Sequence, residues 1–144
     1  MKKIIEYNEI TKDALAEIFG IAAIGCEVDN EDDELYLTDG IEFPVRVIID
    51  NERKSIKIFT FLETRDGAPN DELPLFAQKL NDKFVTTRFT ASIYDDDRAF
   101  INGEYYFYTN FGLIIPQFIY TVKKVAEIFV DAIREYDNDE KFFE

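Results

Sequence analysis

The chain of 144 residues has the size of one ordinary domain, and its 47% hydrophobic and 15% aromatic content supplies enough apolar surface to offset the entropy of ordering a single core. Sixteen Lys and Arg stand against thirty Asp and Glu, a formal charge of -14 spread along the whole length. Nucleic acid and anionic membrane are therefore excluded as expected partners, because cations must displace a polyanion's counterions. With Cys26 alone and no histidine, the chain has no intrachain disulfide, no thiolate metal cage and no imidazole base.

Ile4-Ile5 between Lys3 and Glu6 is too short for a secretory apolar region, and the apolar stretches Ile18 to Cys26 and Phe111 to Tyr120 are too short to cross a bilayer. A lone cysteine suits a reducing compartment, so a cytoplasmic location is expected. Thr11 is a candidate N-cap, and Ala14, Leu15, Ile18, Phe19 and Ala22 fall on one helical stripe opposite Lys12, Asp13 and Glu17, predicting a helix that ends near Gly20 to Gly25. The acidic run Asp29 to Glu34 has no apolar period and is expected to be an exposed loop.

An antiparallel meander is predicted next. Leu35-Tyr36-Leu37 meets the turn signal Asp39-Gly40, Phe43 to Ile49 alternates with period two, and Ile56 to about Glu63 follows the polar turn Asp50 to Lys54. Leu73, Phe76, Ala77, Leu80 and Phe84 recur at helical spacing, with Pro74 tolerated in the first turn. From Thr86 to Thr109 the β-branched and aromatic content rises again. Its turn falls at Asp95-Asp96-Asp97 or at Asn102-Gly103, of which Asn-Gly is the stronger signal. Pro116 opens the longest helix, whose stripe Ile119, Val122, Val125, Ala126, Phe129, Ile133 and Tyr136 should cover one sheet face. The ordered core is expected over about 5–137, with 138–144 a frayed acidic tail unless Phe142-Phe143 docks.

Little in the chain is equipped for chemistry. Ser55 and Ser92 lie outside any Gly-x-Ser-x-Gly elbow, and Cys26 has no histidine to activate it. The run from Asp29 fails the calcium-loop template, having Glu34 where glycine is required and Gly40 where glutamate is required. Asp95-Asp96-Asp97 reads as turn chemistry before it reads as a magnesium site. No catalytic residue, cofactor site or metal site is assigned.

The segment Tyr105-Tyr106-Phe107-Tyr108 is more informative. Alternation sends Tyr105 and Phe107 to one sheet face and Tyr106 and Tyr108 to the other, so a helix layer on one face leaves large aromatics on the second. They either top a solvated sheet or form an interface, where tyrosine is enriched. Tyr94, Tyr106 and Tyr108, with Phe59 and Phe61 of the third strand, are the candidate protein-binding or dimer residues.

The order helix, three strands, helix, strands, long helix, with Leu80-Asn81, Arg88-Phe89 and Phe111-Gly112-Leu113 at their places in it, resembles the YbjN domain, a bacterial family related in fold to type III secretion chaperones. The resemblance covers nearly the whole chain. It implies a two-layer α+β domain of order α-β-β-β-α-β-β-α with an antiparallel sheet, often dimeric, acting in sensory regulation or as a chaperone-like protein binder, and it carries no active site. The expectation is a non-catalytic, cytoplasmic protein-binding adaptor that forms a homodimer. The alternative is an acidic inhibitor or immunity-type protein that neutralises a basic toxin or nuclease.

Overall fold

The computed structural model describes residues 3–144. A two-residue strand β1 (Ile4–Ile5) and a 3₁₀ turn over Tyr7–Glu9 lead into α1 (Lys12–Ile21). Thr11 caps α1, its hydroxyl oxygen accepting from the Ala14 amide at 3.1 Å, and Leu15 and Phe19 bury completely against the sheet. After Ile21 the chain reverses through Ala23 at φ 60°, and Gly25–Val28, not anticipated as a strand, forms β2. The meander follows as β3 (Glu34–Asp39), β4 (Val45–Asp50) and β5 (Ser55–Glu63). Gly40 serves its turn with φ +80°, where a side chain would also strike the Ala23 carbonyl.

Helix α2 (Leu73–Lys83) comes next, then β6 (Arg88–Ile93), β7 (Ala99–Tyr108), the short β8 (Leu113–Ile114) and α3 (Ile115–Tyr136), which has proline in its first turn. The sheet is six-stranded in the order β2-β3-β4-β5-β7-β6, every neighbouring pair antiparallel. β1 pairs separately with β8. The architecture is α+β with an antiparallel sheet, as expected, enlarged by β2 and by the β1–β8 pair.

Of the two turn positions that the sequence leaves open, the weaker signal is the one used. Asn102-Gly103 lies in the middle of β7, and the chain turns instead at Asp95-Asp96-Asp97, where the Tyr94 amide donates to the Arg98 carbonyl at 2.8 Å and Asp97 takes φ 66°. Gly103 is there for packing. A Cβ at that position would stand 2.8 Å from Phe129 Cδ2, and the Phe129 ring is fixed by Phe43 at 5.3 Å and by Phe89 stacked at 6.2 Å. Asn102 uses its carboxamide to donate to Ser92 Oγ at 2.8 Å.

Helices α1, α2 and α3 lie on one face of the sheet. α1, β3, β4, β5 and the first half of α3 enclose one apolar cluster, while α2, β6, β7 and the second half of α3 enclose another that shares Phe43 with it. The tail is not frayed. Phe142 and Phe143 bury beside Phe76, the Asp137 carboxylate accepts both their amides at 3.2 and 3.0 Å, and the Phe142 carbonyl accepts from the Arg65 amide. Phe142-Phe143 is a docked foot because rings and backbone partners act together.

Candidate protein-binding face of the sheet

With α1, α2 and α3 on one side, the other side of the sheet carries no covering layer among the described residues, and strand register dictates what it displays. One row crosses all six strands: Glu27, Tyr36, Arg46, Phe59, Glu104 and Arg88 stand opposite one another from β2 to β6. On one side of it run Ile48, Lys57 and Tyr106, then Asp50, Ser55 and Tyr108. On the other run Phe61, Asn102 and Thr90, then Glu63, Phe100 and Ser92. Rings and charges are thus interleaved in both directions.

The cations lie on the rings. The Arg46 guanidinium sits 5.2 Å from the Phe61 centroid and 5.9 Å from that of Tyr36, while Lys57 Nζ is 4.6 Å from Phe59 and 5.9 Å from Tyr106. Arg98 covers Phe100 at 5.2 Å. Each also holds a carboxylate: Arg46 with Glu34 at 3.4 Å, Lys57 with Glu104 at 3.2 Å, Arg98 with Glu63 at 2.8 Å. The Glu63 hydrogen bond keeps the Arg98 guanidinium still more firmly protonated. Such contacts are individually weak at exposed sites, where solvent screens them. They fix long side chains in place, so the face is organised before any partner arrives.

All five sequence candidates lie on this face. Tyr106, Tyr108, Phe59 and Phe61 occupy its rows, and Tyr94 joins by standing edge-on to Phe100 at 5.7 Å. Tyr108 is 80% exposed and Tyr106 45%, whereas Phe59 and Phe61 are half-buried beneath the cations. Tyr105 and Phe107 point the other way, into the core, where Phe107 packs edge-on against Phe118. Sequence reasoning missed Tyr36, Phe100, Arg46, Lys57 and Glu104, whose membership follows only from cross-strand register. Glu104 is nearly buried between Lys57 and Arg88 and anchors the centre.

The acidic segments have structural work. The Asp29 carboxylate accepts the Glu31 and Asp32 amides, which hold its carboxyl below the usual range, and Lys12 donates to the Asp29 and Asp32 carbonyls. Asp96 accepts from the Arg98 amide inside the hairpin turn. Among the described residues no group of three or more His, Cys, Asp or Glu side chains could hold a metal ion, and no helix is long and apolar enough to cross a membrane. Burial, and then the charge of Glu27, push the Cys26 thiol up, away from the reactive thiolate.

An α+β domain with an antiparallel sheet covered by helices on one face defines the class. Among solved structures the chain is similar to YbjN of E. coli, described as a candidate transcription regulator, with a TM-score of 0.76 and 16% identity over 93% of this chain and 96% of that one. It is also similar to an uncharacterized protein of Methanothermobacter thermautotrophicus, with a TM-score of 0.66 and 10% identity over 90% and 99% of the two chains. The chain has the YbjN-like fold. No family model matches the sequence, and no curated protein matches it.

Proposed function

We propose that this chain is a non-catalytic protein-binding module, a regulatory or chaperone-like adaptor of the cytoplasm, whose contact surface is the helix-free face of its sheet. The observation that carries the reading is the ordered array of Tyr36, Phe59, Phe61, Phe100, Tyr106 and Tyr108 with Arg46 and Lys57 laid across it. Tyrosine, phenylalanine and arginine are the residues enriched where proteins meet. The regulatory description of the E. coli structure supports an adaptor, and the absence of histidine speaks against ordinary acid-base turnover. Its first partner is a second copy, because a two-fold pairing would cover the rings of both faces at once.

The test is affinity capture and light scattering with the wild type and with the double variant Tyr106→Ala, Tyr108→Ala, whose side chains are the most exposed of the array. A protein partner or a dimer present with the wild type and lost with the variant supports the reading. Retention of every partner by the variant refutes it. A salt-sensitive partner that ignores both tyrosines would assign binding to the acidic outer surfaces, as the inhibitor of a basic protein requires.

A further inference from the structure

The first helix carries more apolar surface than the fold uses. Leu15 and Phe19 are buried in the core, whereas Ala14, Ile18 and Ile21, at spacing i, i+4 and i+7, form a second stripe in which Ala14 and Ile18 pack against the core but are only half-buried and Ile21 is 60% exposed. This stripe is one wall of a groove of about 400 Å³ whose remaining lining is Ile5, Ile115 and two carboxylates, Glu9 and Glu17. Ile5 and Ile115 are delivered by the β1–β8 pair, since Ile5 stands opposite Leu113 and the Ile115 amide donates to the Lys3 carbonyl at 2.8 Å. The pairing of the chain start with the entrance of α3 therefore builds the second wall. The cavity volume lies in the range of functional pockets.

We infer that this groove receives a basic amphipathic helix of another protein, at a surface separate from the open sheet face. The floor is apolar and the exposed Glu17 stands on its wall, so the complement is a helix with aliphatic anchors on one side and Lys or Arg flanking them. From Ala14 to Ile21 the stripe runs about 10 Å along the axis, two turns, which matches anchors at i, i+3 or i+4, and i+7. The charge of -14 draws such a helix in from solution and disfavours an acidic one. Glu17, exposed on α1, contributes its charge from the wall itself.

Three synthetic helical peptides of equal length serve as probes, titrated into the full chain by fluorescence anisotropy. One combines leucine anchors with lysine flanks, one combines the same anchors with glutamate, and one keeps the lysines but replaces the leucines with serine. Binding of the leucine-lysine peptide alone is expected. Ile21→Glu, at an exposed site on the last turn of α1, should weaken it at least about ten-fold, and Glu17→Lys should weaken it and flatten its salt dependence. Tyr108→Ala, on the sheet face, should leave it unchanged. The inference is overturned if the leucine-lysine peptide does not bind, if the serine-lysine peptide binds as tightly, or if Ile21→Glu binds as the wild type does. Loss of binding with Tyr108→Ala but not with Ile21→Glu would move the peptide to the sheet and likewise end the proposal, whereas failure here leaves the reading of the sheet face standing.

Discussion

Replacing Gly103 with alanine sets two opposed effects against each other, and the structure decides the sign. Alanine restricts the unfolded chain more than glycine and alone would stabilise by about 0.5–1 kcal/mol. The new Cβ, however, would meet Phe129 Cδ2 at 2.8 Å and Thr60 Cγ2 at 3.4 Å. Phe129 cannot swing aside because Phe43 and Phe89 hold its two sides, and overpacking of this kind costs about 1–3 kcal/mol. The net expectation is a loss of about 0.5–2 kcal/mol. Gly20 supplies the contrast, since nothing lies within 4 Å of a Cβ there. Gly20→Ala should stabilise by about 0.5–1 kcal/mol through helix propensity. Urea unfolding at equal m-value reads both, and combining Gly103→Ala with Phe129→Leu should return part of the loss as a favourable coupling. If Gly103→Ala stabilises the chain as Gly20→Ala does, the glycine is not a packing residue and the account of β7 against α3 is wrong.

Other perturbations probe the anchors. Glu104→Gln removes the carboxylate shared by Lys57 and Arg88; because their side chains are 29% and 71% exposed, the loss should be about 1–2 kcal/mol by urea unfolding, below that of a fully buried pair, and an unchanged midpoint would contradict the anchoring role. Asp137→Ala leaves the Phe142 and Phe143 amides without their acceptor, at about 1–3 kcal/mol. Hydrogen exchange at 142–143 should then accelerate while α3 around Phe129 stays protected, and an unaltered tail would show that the rings alone hold it. The folded pKa of Cys26 is raised, so its contribution to stability is present below the unfolded thiol's pKa and is lost as pH rises through the folded one. At neutral pH iodoacetamide should label it more slowly in the native than in the urea-unfolded chain, and equal rates would deny the burial.

What the sequence made legible was whatever local periodicity encodes. The stripe from Ile119 to Tyr136, the polar turn Asp50 to Lys54 and the alternation Tyr105 to Tyr108 each carry their own signal, and α3, the β4–β5 hairpin and the two faces of β7 follow from them. Asn102-Gly103 misleads because the reason for its glycine lies 26 positions away, in Phe129. β1 is too short to show a pattern and exists through its distant partner β8. Phe142 and Phe143 dock because Asp137 and Phe76 are waiting for them. Arg46, Lys57 and Glu104 look like ordinary surface charges until register lays them beside Phe61, Phe59 and Arg88.

Hydroxyl-radical footprinting of the chain with and without the partner or second copy recovered by capture reads the docking surface directly. Protection of Tyr94, Phe100, Tyr106 and Tyr108, with the exposed Tyr120 of α3, in the helix layer, still oxidised, is the predicted result. Full reactivity of Tyr106 and Tyr108 in the complex would contradict it.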